Sequence, residues 1–174
     1  MMTRNPLSAL ATAAALLATG VSLQACGFTP LYATPGVSSA LSSVHVTTPE
    51  GRVGELIREH LDDALAHNPS APSTYRMDLQ LGEQRYPRGV RVDNVATRYE
   101  YVLTAVYTLV SSATGATVKT GRVRVEVTYD SADQPYASIA AQQDAQDRAS
   151  EEAARKIELE LATWLAKPKT AKKP

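Results

Sequence analysis

The sequence is poor in cysteine and has no excess of charge of either sign. Cys26 is the only cysteine among 174 residues, which excludes a disulfide within the chain. Lys and Arg together number 18, as do Asp and Glu, so the formal net charge is +0. This balance argues against a general nucleic-acid binder, because neutralising a phosphate backbone needs a clear basic excess. Any site for an anion must therefore be local.

Patterns typical of catalysis are also missing. The sequence has neither a Gly-x-Ser-x-Gly elbow nor a glycine-rich phosphate loop. His60 and His67 fall in a helical pattern about 10 Å apart along the axis, too far apart to share a metal ion. The adjacent pairs Asp62-Asp63 and Glu151-Glu152 point in different directions on a helix. We therefore expect no catalytic residue, no metal site and no enzymatic activity.

The first 25 residues have the organisation of a signal peptide. A short stretch with Arg4 precedes an apolar run over residues 7–21, and small residues follow just before Cys26. The run is about 15 residues long, whereas a membrane-spanning helix needs roughly 20. We expect residues 1–25 to be removed, so that Cys26 begins the mature chain.

Residues 23–26, Leu-Gln-Ala-Cys, resemble the bacterial lipobox. The resemblance implies cleavage before Cys26, with an S-diacylglyceryl group and an N-linked acyl chain on that residue. Two or three acyl chains give a durable anchor, whereas one chain alone binds a membrane only marginally. Gly27 rather than Asp follows the cysteine, which under the enteric sorting rule implies the outer membrane. The alternative is an ordinary secretory signal followed by a free thiol.

The mature chain is predicted to hold one domain between a linker and a tail. Residues 26–42 are rich in Pro, Gly, Ser and Thr and are expected to form a lipidated linker. Residues 43–166 are long enough to enclose one hydrophobic core. Residues 167–174 are charged, contain two prolines and lack an apolar face, so we expect a disordered tail.

Apolar periodicity predicts an α+β domain. The expected elements are a strand at 43–47, a helix at about 53–67, a strand at 75–81, a loop with Pro87 and Gly89, strands at 98–110 and 119–129, and a helix from about 136 or 138 to 164. The last two strands form an antiparallel hairpin through a turn at Gly115. In the final helix Ala145, Ala149 and Ala153 recur every four residues and permit a close approach to the sheet. The fold is therefore two-layered, with a mainly antiparallel four-stranded sheet and two helices packed on one side.

Three stretches resemble the lipopolysaccharide-assembly lipoproteins of the LptE family, in their alphaproteobacterial form. The first is Cys-Gly-Phe-Thr-Pro-Leu-Tyr at residues 26–32, directly after the lipidation site. The second runs from residues 96–99 through 107–109 and the Gly115 turn. The third begins at residues 136–139 and continues in the closing helix with Ala145, Arg148, Ala149, Ala154 and Ile157. Together these stretches span most of the mature chain.

This resemblance implies a non-catalytic role at the outer membrane. A member of the family plugs and helps to assemble the lipopolysaccharide-translocating β-barrel of the LptD type, and assists delivery of lipopolysaccharide to the outer leaflet. The expected partners are that barrel, lipopolysaccharide and the outer membrane, with no nucleic acid, and the domain would face the periplasm and the barrel lumen. An alternative is an auxiliary lipoprotein of another envelope lipid transporter. A third alternative is a lipoprotein enzyme whose active-site residues are distant in sequence and come together only in the folded protein.

Lipopolysaccharide is an anionic amphiphile, so a site for its phosphates needs cations beside apolar or aromatic surface. The candidates are Arg85, Arg88 and Arg91 in the predicted loop and Lys119, Arg122 and Arg124 near the hairpin. Arg122 and Arg124 are two residues apart on one strand, so they share a face. The competing interpretation of each is a solvated or barrel-facing charge.

Three tyrosines alternate along the strand at 98–110. Tyr99, Tyr101 and Tyr107 fall on the face expected to be apolar. We interpret them as core residues packed against the helices, with a lipid-contacting stripe as the alternative.

Overall fold

The computed structural model describes residues 34–90, 96–131 and 134–167. In chain order its elements are α1 (Val37–Ser42), β1 (Val44–Thr47), α2 (Arg52–Ala64), β2 (Tyr75–Val90), β3 (Ala96–Ser111), β4 (Thr117–Asp130) and α3 (Pro135–Ala166). The predicted signal peptide, Cys26, Arg91 and almost all of the predicted tail lie outside the described residues.

The four strands form one mixed sheet in the order β1-β2-β3-β4. β1 is parallel to β2, with Val44 opposite Tyr75, and α2 makes the crossover that such a pair requires. β2 with β3 and β3 with β4 are antiparallel. The predicted two-layer α+β fold with a mainly antiparallel sheet is confirmed.

Two predicted boundaries are wrong. Residues 37–42, predicted to belong to the linker, form α1, whose Val37 and Leu41 are buried in the core. The segment with Pro87 and Gly89, predicted to be a loop, continues β2 to Val90. There the backbone is held by pairing with β3, for example Arg85 opposite Tyr101. Non-local hydrogen bonds therefore extend the strand without any apolar alternation.

The core lies between the helices and one face of the sheet. On β3 the residues Tyr101, Leu103, Ala105, Tyr107 and Leu109 are buried on this face. Opposite them α3 presents small buried residues, Ala145, Ala149 and Ala153 at four-residue spacing, each 0% exposed. Small side chains let the helix approach the sheet closely, as the sequence pattern predicted.

Tyr107 fills the space above Gly121. The two residues are register partners on β3 and β4, and a Cβ atom at position 121 would overlap the Tyr107 ring. Tyr107 is fully buried, and its hydroxyl donates to Glu160 Oε2 of α3 at 2.6 Å. The missing side chain of Gly121 is thus what allows the tyrosine to connect sheet and helix.

Both ends of the described chain come to the same end of the sheet, which we call the Tyr75 end. Tyr75 pairs with Ser111, and β4 begins beside this point. Near the end of α3, Trp164 packs edge-on against Tyr75 with ring centroids 6.0 Å apart. The end of α1 lies here too, because the Asn68 amide donates to the Ser42 carbonyl and the Thr74 amide to that of Ser43. The opposite end, at Val90, Ala96 and Asp130, is called the Asp130 end.

Within the described chain β4 is an edge strand with no neighbour beyond it. Lys156 of α3 reaches over this edge, and its Nζ donates to the Arg124 carbonyl at 3.3 Å. A charged side chain at an exposed edge discourages pairing with another strand. The helix therefore protects the sheet at its side as well as on its face.

Candidate functional site

The second face of the sheet, here called the open face, is covered by none of the described helices. Its side chains alternate with those of the core, so β2 contributes Gln80 and Gln84, β3 contributes Thr104 and Val106, and β4 contributes Arg122 and Arg124. These six residues line a shallow groove of about 330 Å³. Gly82 lies in its floor, opposite Thr104. The absence of a side chain at Gly82 deepens the groove between flanking polar groups.

Most charges of the open face are paired. Arg76 bonds Asp78 at 3.0 Å, Arg88 bonds Glu100 at 2.7 Å, Arg98 bonds Asp130 at 2.8 Å, and Arg124 bonds Glu126 at 2.8 Å. These pairs are largely exposed, so each contributes little to stability. No ion pair is formed by Arg122 within the described chain. Arg122 is therefore the groove cation most available to an external anion.

Apolar side chains run along the middle of the open face, a feature that the sequence analysis missed. Val102 is only 1% exposed, with Gln84 and Glu126 as its neighbours on the flanking strands. Val106 is 36% exposed and lies beside Arg122. The alternation on β3 was the available signal, since Val102, Val106 and Val110 share the face opposite the tyrosines. The groove thus joins a guanidinium group to apolar surface.

The six basic candidates do not form one site. Arg122 and Arg124 share the groove as predicted, whereas Arg88 is on the open face near the Asp130 end, bonded to Glu100. Arg85 turns to the helix side, where its guanidinium carbon lies 4.9 Å from the Tyr99 ring centroid and Nη1 donates to Gln142 at 2.8 Å.

Lys119 also lies on the helix side. Its Nζ is 5.6 Å from the Tyr107 ring centroid and 4.0 Å from Glu160 Oε2. Lys119 and Arg85 are therefore separated by the core from the groove, and the prediction for Arg91 falls outside the described residues.

The three tyrosines of β3 face the helices, which confirms the core interpretation. Tyr101 and Tyr107 are buried, and Tyr99 is half-buried and stacked on Tyr129 with ring centroids 5.6 Å apart. Burial raises the pKa of Tyr101 and Tyr107 well above the ordinary value, and hydrogen bonds to Glu83 and Glu160 raise these pKa values further. Both phenols therefore act as neutral donors that connect the sheet to carboxylates.

The histidines show no metal-binding arrangement. His60 is half-buried, and its Nε2 lies 2.8 Å from Asp147 Oδ1 of α3, so it links the two long helices. His67 lies beyond the end of α2. Over residues 34–90, 96–131 and 134–167, no three His, Cys, Asp or Glu side chains come close enough to hold a metal ion.

Cys26, the predicted lipidation site, lies outside the described residues. Among the helices that are described, none combines the length and the apolar character needed to cross a bilayer.

Comparison with known proteins identifies the family. The family profile described as "LptE: Lipopolysaccharide-assembly" matches residues 41–161. The chain is 58% identical to a candidate lipoprotein from Caulobacter crescentus CB15, whose crystal structure it matches with a TM-score of 0.67 over 76% of this chain and 98% of that one.

A more distant match concerns the fold alone. Lipoprotein B from Nitrosomonas europaea, solved by NMR and uncharacterized, is 14% identical, with a TM-score of 0.54 over 71% of this chain and 83% of that one. No curated protein matches the chain. The family profile covers well over half of the sequence, so the chain belongs to the lipopolysaccharide-assembly LptE family.

Proposed function

We propose that this protein is a lipid-anchored, non-catalytic partner of a large outer-membrane β-barrel of the LptD type, inside whose lumen its domain lies. Membership of the LptE family gives the chain a role in lipopolysaccharide assembly. The proposal adds the partner, the position and the task, which are to plug the barrel, to help it assemble and to assist lipopolysaccharide toward the outer leaflet.

The observation that carries the proposal is the uncovered open face. Helices cover one side of the sheet. The other side presents polar and charged groups on both sides of the apolar residues Val102 and Val106. The interior of a transmembrane β-barrel is polar, so the polar and charged groups of such a face can pair with groups of the lumen wall.

The anchor is proposed to be the acylated Cys26. Each buried methylene of an acyl chain contributes about 0.8 kcal/mol to the free energy of membrane binding, so two or three chains give a stable anchor. Ten residues, 27–36, lie between Cys26 and Val37, the first residue of α1. An acylated Cys26 this near in sequence would keep the domain close to the bilayer surface, where an outer-membrane barrel opens to the periplasm.

Arg122 is proposed to contact lipopolysaccharide, with Arg124 in support. Guanidinium groups bind phosphates through paired charge-assisted hydrogen bonds. Arg122 has no described ion-pair partner to give up, whereas Arg124 must exchange Glu126 for the ligand. Val106 beside Arg122 supplies the apolar contact that an acylated sugar phosphate needs.

Two measurements test the proposal. When the native protein is purified from outer membranes in mild detergent, a large β-barrel protein should co-purify with it in a fixed stoichiometric ratio. Recovery with inner-membrane transport components instead would favour the auxiliary-transporter alternative and overturn the barrel assignment.

The second measurement is lipopolysaccharide binding by the double variant Arg122→Glu/Arg124→Glu. We expect a loss of about tenfold or more, since a charge-assisted hydrogen bond contributes about 1.5–3 kcal/mol. The matched control is Arg148→Glu/Arg155→Glu, which reverses two exposed charges on α3, away from the groove. Equal losses in the two variants would remove the groove from the binding site.

A further inference from the structure

The first turns of α3 carry a second exposed surface, distinct from the open face, which we call the helix tip and define as residues 135–140. Ser138 Oγ lies 3.0 Å from Oγ of Ser131, the residue that directly follows β4, so this part of α3 is level with the end of the sheet. Tyr136, two residues earlier in the helix, is 88% exposed. The helix tip is therefore exposed at the Asp130 end of the domain.

The exposed side chains of the helix tip are apolar. Tyr136 and Ile139 are the two large ones, and Ile139 is 54% exposed. Because they are three residues apart on a helix, they lie on the same side. Ala137 and Ala140 beside them are exposed as well. Single exposed apolar residues are common on protein surfaces, whereas a contiguous group on one short segment is typical of a contact surface.

The helix tip also lacks the groups that adapt a helix end to water. Residues 134–143 contain no Asp, Glu, Lys or Arg, whereas residues 144–160 contain nine. A helix that begins in solvent usually has a side-chain cap and acidic residues in its first turn. The first turn of α3 has no acidic residue, and Gln134 at the N-cap makes no side-chain hydrogen bond to the helix. This start of α3 is therefore suited to being covered by a partner.

The size of the surface restricts what can cover it. A buried tyrosine side chain contributes about 150–250 Å² of contact area, whereas a stable interface needs about 800 Å² from each partner. The helix tip alone is thus too small to hold a second copy of the chain. It must be one part of a larger interface, and the interface with the barrel proposed above is the one that would enclose the domain.

We infer that the helix tip is an apolar anchor of this protein on its barrel partner, with the Tyr136 ring and the Ile139 side chain inserted into an apolar hollow on the lumen side. The inference rests on the proposed function and adds to it a contact of a different kind. The open face offers charged groups to a polar lumen wall, whereas the helix tip has no charge to pair and needs a partner surface that is itself apolar. Buried aromatic anchors of this kind contribute most of the affinity in many interfaces.

The test is a competition for the barrel within one cell. The wild-type chain and a variant with a different tag are expressed at equal levels, and the barrel recovered with each tag from outer membranes is compared. We expect Tyr136→Ala/Ile139→Ala to recover less barrel by about tenfold or more, because truncating an anchor weakens binding by such a factor. Both side chains are exposed and alanine is the best helix former, so the thermal stability of the chain should not fall.

Two further variants serve as controls. Leu159→Ala removes a large aliphatic side chain that is 57% exposed near the other end of α3. Recovery of the barrel with this variant should stay within about twofold of the wild type, as for an ordinary surface substitution. Tyr136→Phe keeps the ring and should also stay within about twofold, since the contact is apolar.

Equal recovery with the wild type and the double alanine variant, or an equal loss with Leu159→Ala, would overturn the inference and leave the barrel proposal standing. A loss with Tyr136→Phe as large as with the double alanine variant would overturn the apolar contact. If the wild-type chain recovers no large barrel protein, the proposed function fails as well. Light scattering of the mature chain tests the other occupant, because a wild-type dimer that the double alanine variant converts to a monomer would assign the helix tip to a second copy and overturn the inference.

Discussion

Gly121→Ala offers the sharpest test of how the sheet and α3 are joined. The added methyl group would overlap the Tyr107 ring, which is fully buried and must shift to make room for it. Overpacking of this kind costs about 1–3 kcal/mol. Displacing the ring also breaks the hydrogen bond to Glu160, worth about 1 kcal/mol at a partly exposed carboxylate. We therefore expect a loss of roughly 2–4 kcal/mol in the free energy of unfolding.

Thermal unfolding of the mature chain measures this loss. For a domain of this size 1 kcal/mol corresponds to about 3–5 °C, so Tm should fall by roughly 6–20 °C. The matched control is Gly82→Ala, a strand glycine whose added Cβ would come no closer than 4.0 Å to Thr104. That variant should change Tm by less than about 3 °C. Similar Tm values for the two variants would refute the proposed role of the Gly121–Tyr107 contact.

Three further predictions concern the core and its titration. Leu41→Ala should lower the free energy of unfolding by about 2–4 kcal/mol in urea titrations, because α1 is part of the domain. A loss below about 0.5 kcal/mol would show that residues 37–42 do not pack on the core and belong to the linker. Ala149→Leu should destabilise by about 1–3 kcal/mol by forcing α3 from the sheet, whereas the exposed Arg148→Leu should be nearly neutral. The contribution of Tyr101 and Tyr107 to stability should be fully present below about pH 10 and be lost above it, because their raised pKa values let the unfolded chain ionise first. Tyr107→Phe should make that alkaline loss shallower, and an unchanged pH profile would contradict the assignment.

Elements with one apolar face could be predicted from the sequence. The strict alternation at residues 75–81, 98–110 and 119–129 and the four-residue spacing of Ala145, Ala149 and Ala153 all correspond to observed elements. The Thr114-Gly115 turn is also observed, with Gly115 at φ +67°. These signals are local, because each reflects a single face buried against the other layer.

The extension of β2 and the short helix α1 could not be predicted in this way. From Glu83 to Arg88 every side chain is exposed, so no periodicity marks a strand that is held by pairing with β3. In α1 only Val37 and Leu41 are apolar enough to anchor a helix, and six residues are too few to establish a pattern. Both elements depend on contacts with distant parts of the chain.

Of the candidate site, only the pair Arg122 and Arg124 could be predicted from the sequence. Period-two alternation put Arg122 and Arg124 on one face, and the structure places them together. Arg85 and Arg88, both candidates in the predicted loop, lie on opposite faces, because three residues along a strand separate them. Pairing with acidic residues on neighbouring strands depends on register, which the sequence does not reveal. Arg122 therefore stands out only when its described surroundings are known.

We propose above that the open face lies against the lumen wall of a large outer-membrane β-barrel. A photo-crosslinking residue placed at Thr128, an exposed position of the open face outside the groove, tests this proposal in living cells. We predict a covalent adduct with a single large β-barrel protein of the outer membrane. Adducts confined to other envelope proteins, with the barrel never captured from this position, would contradict the account.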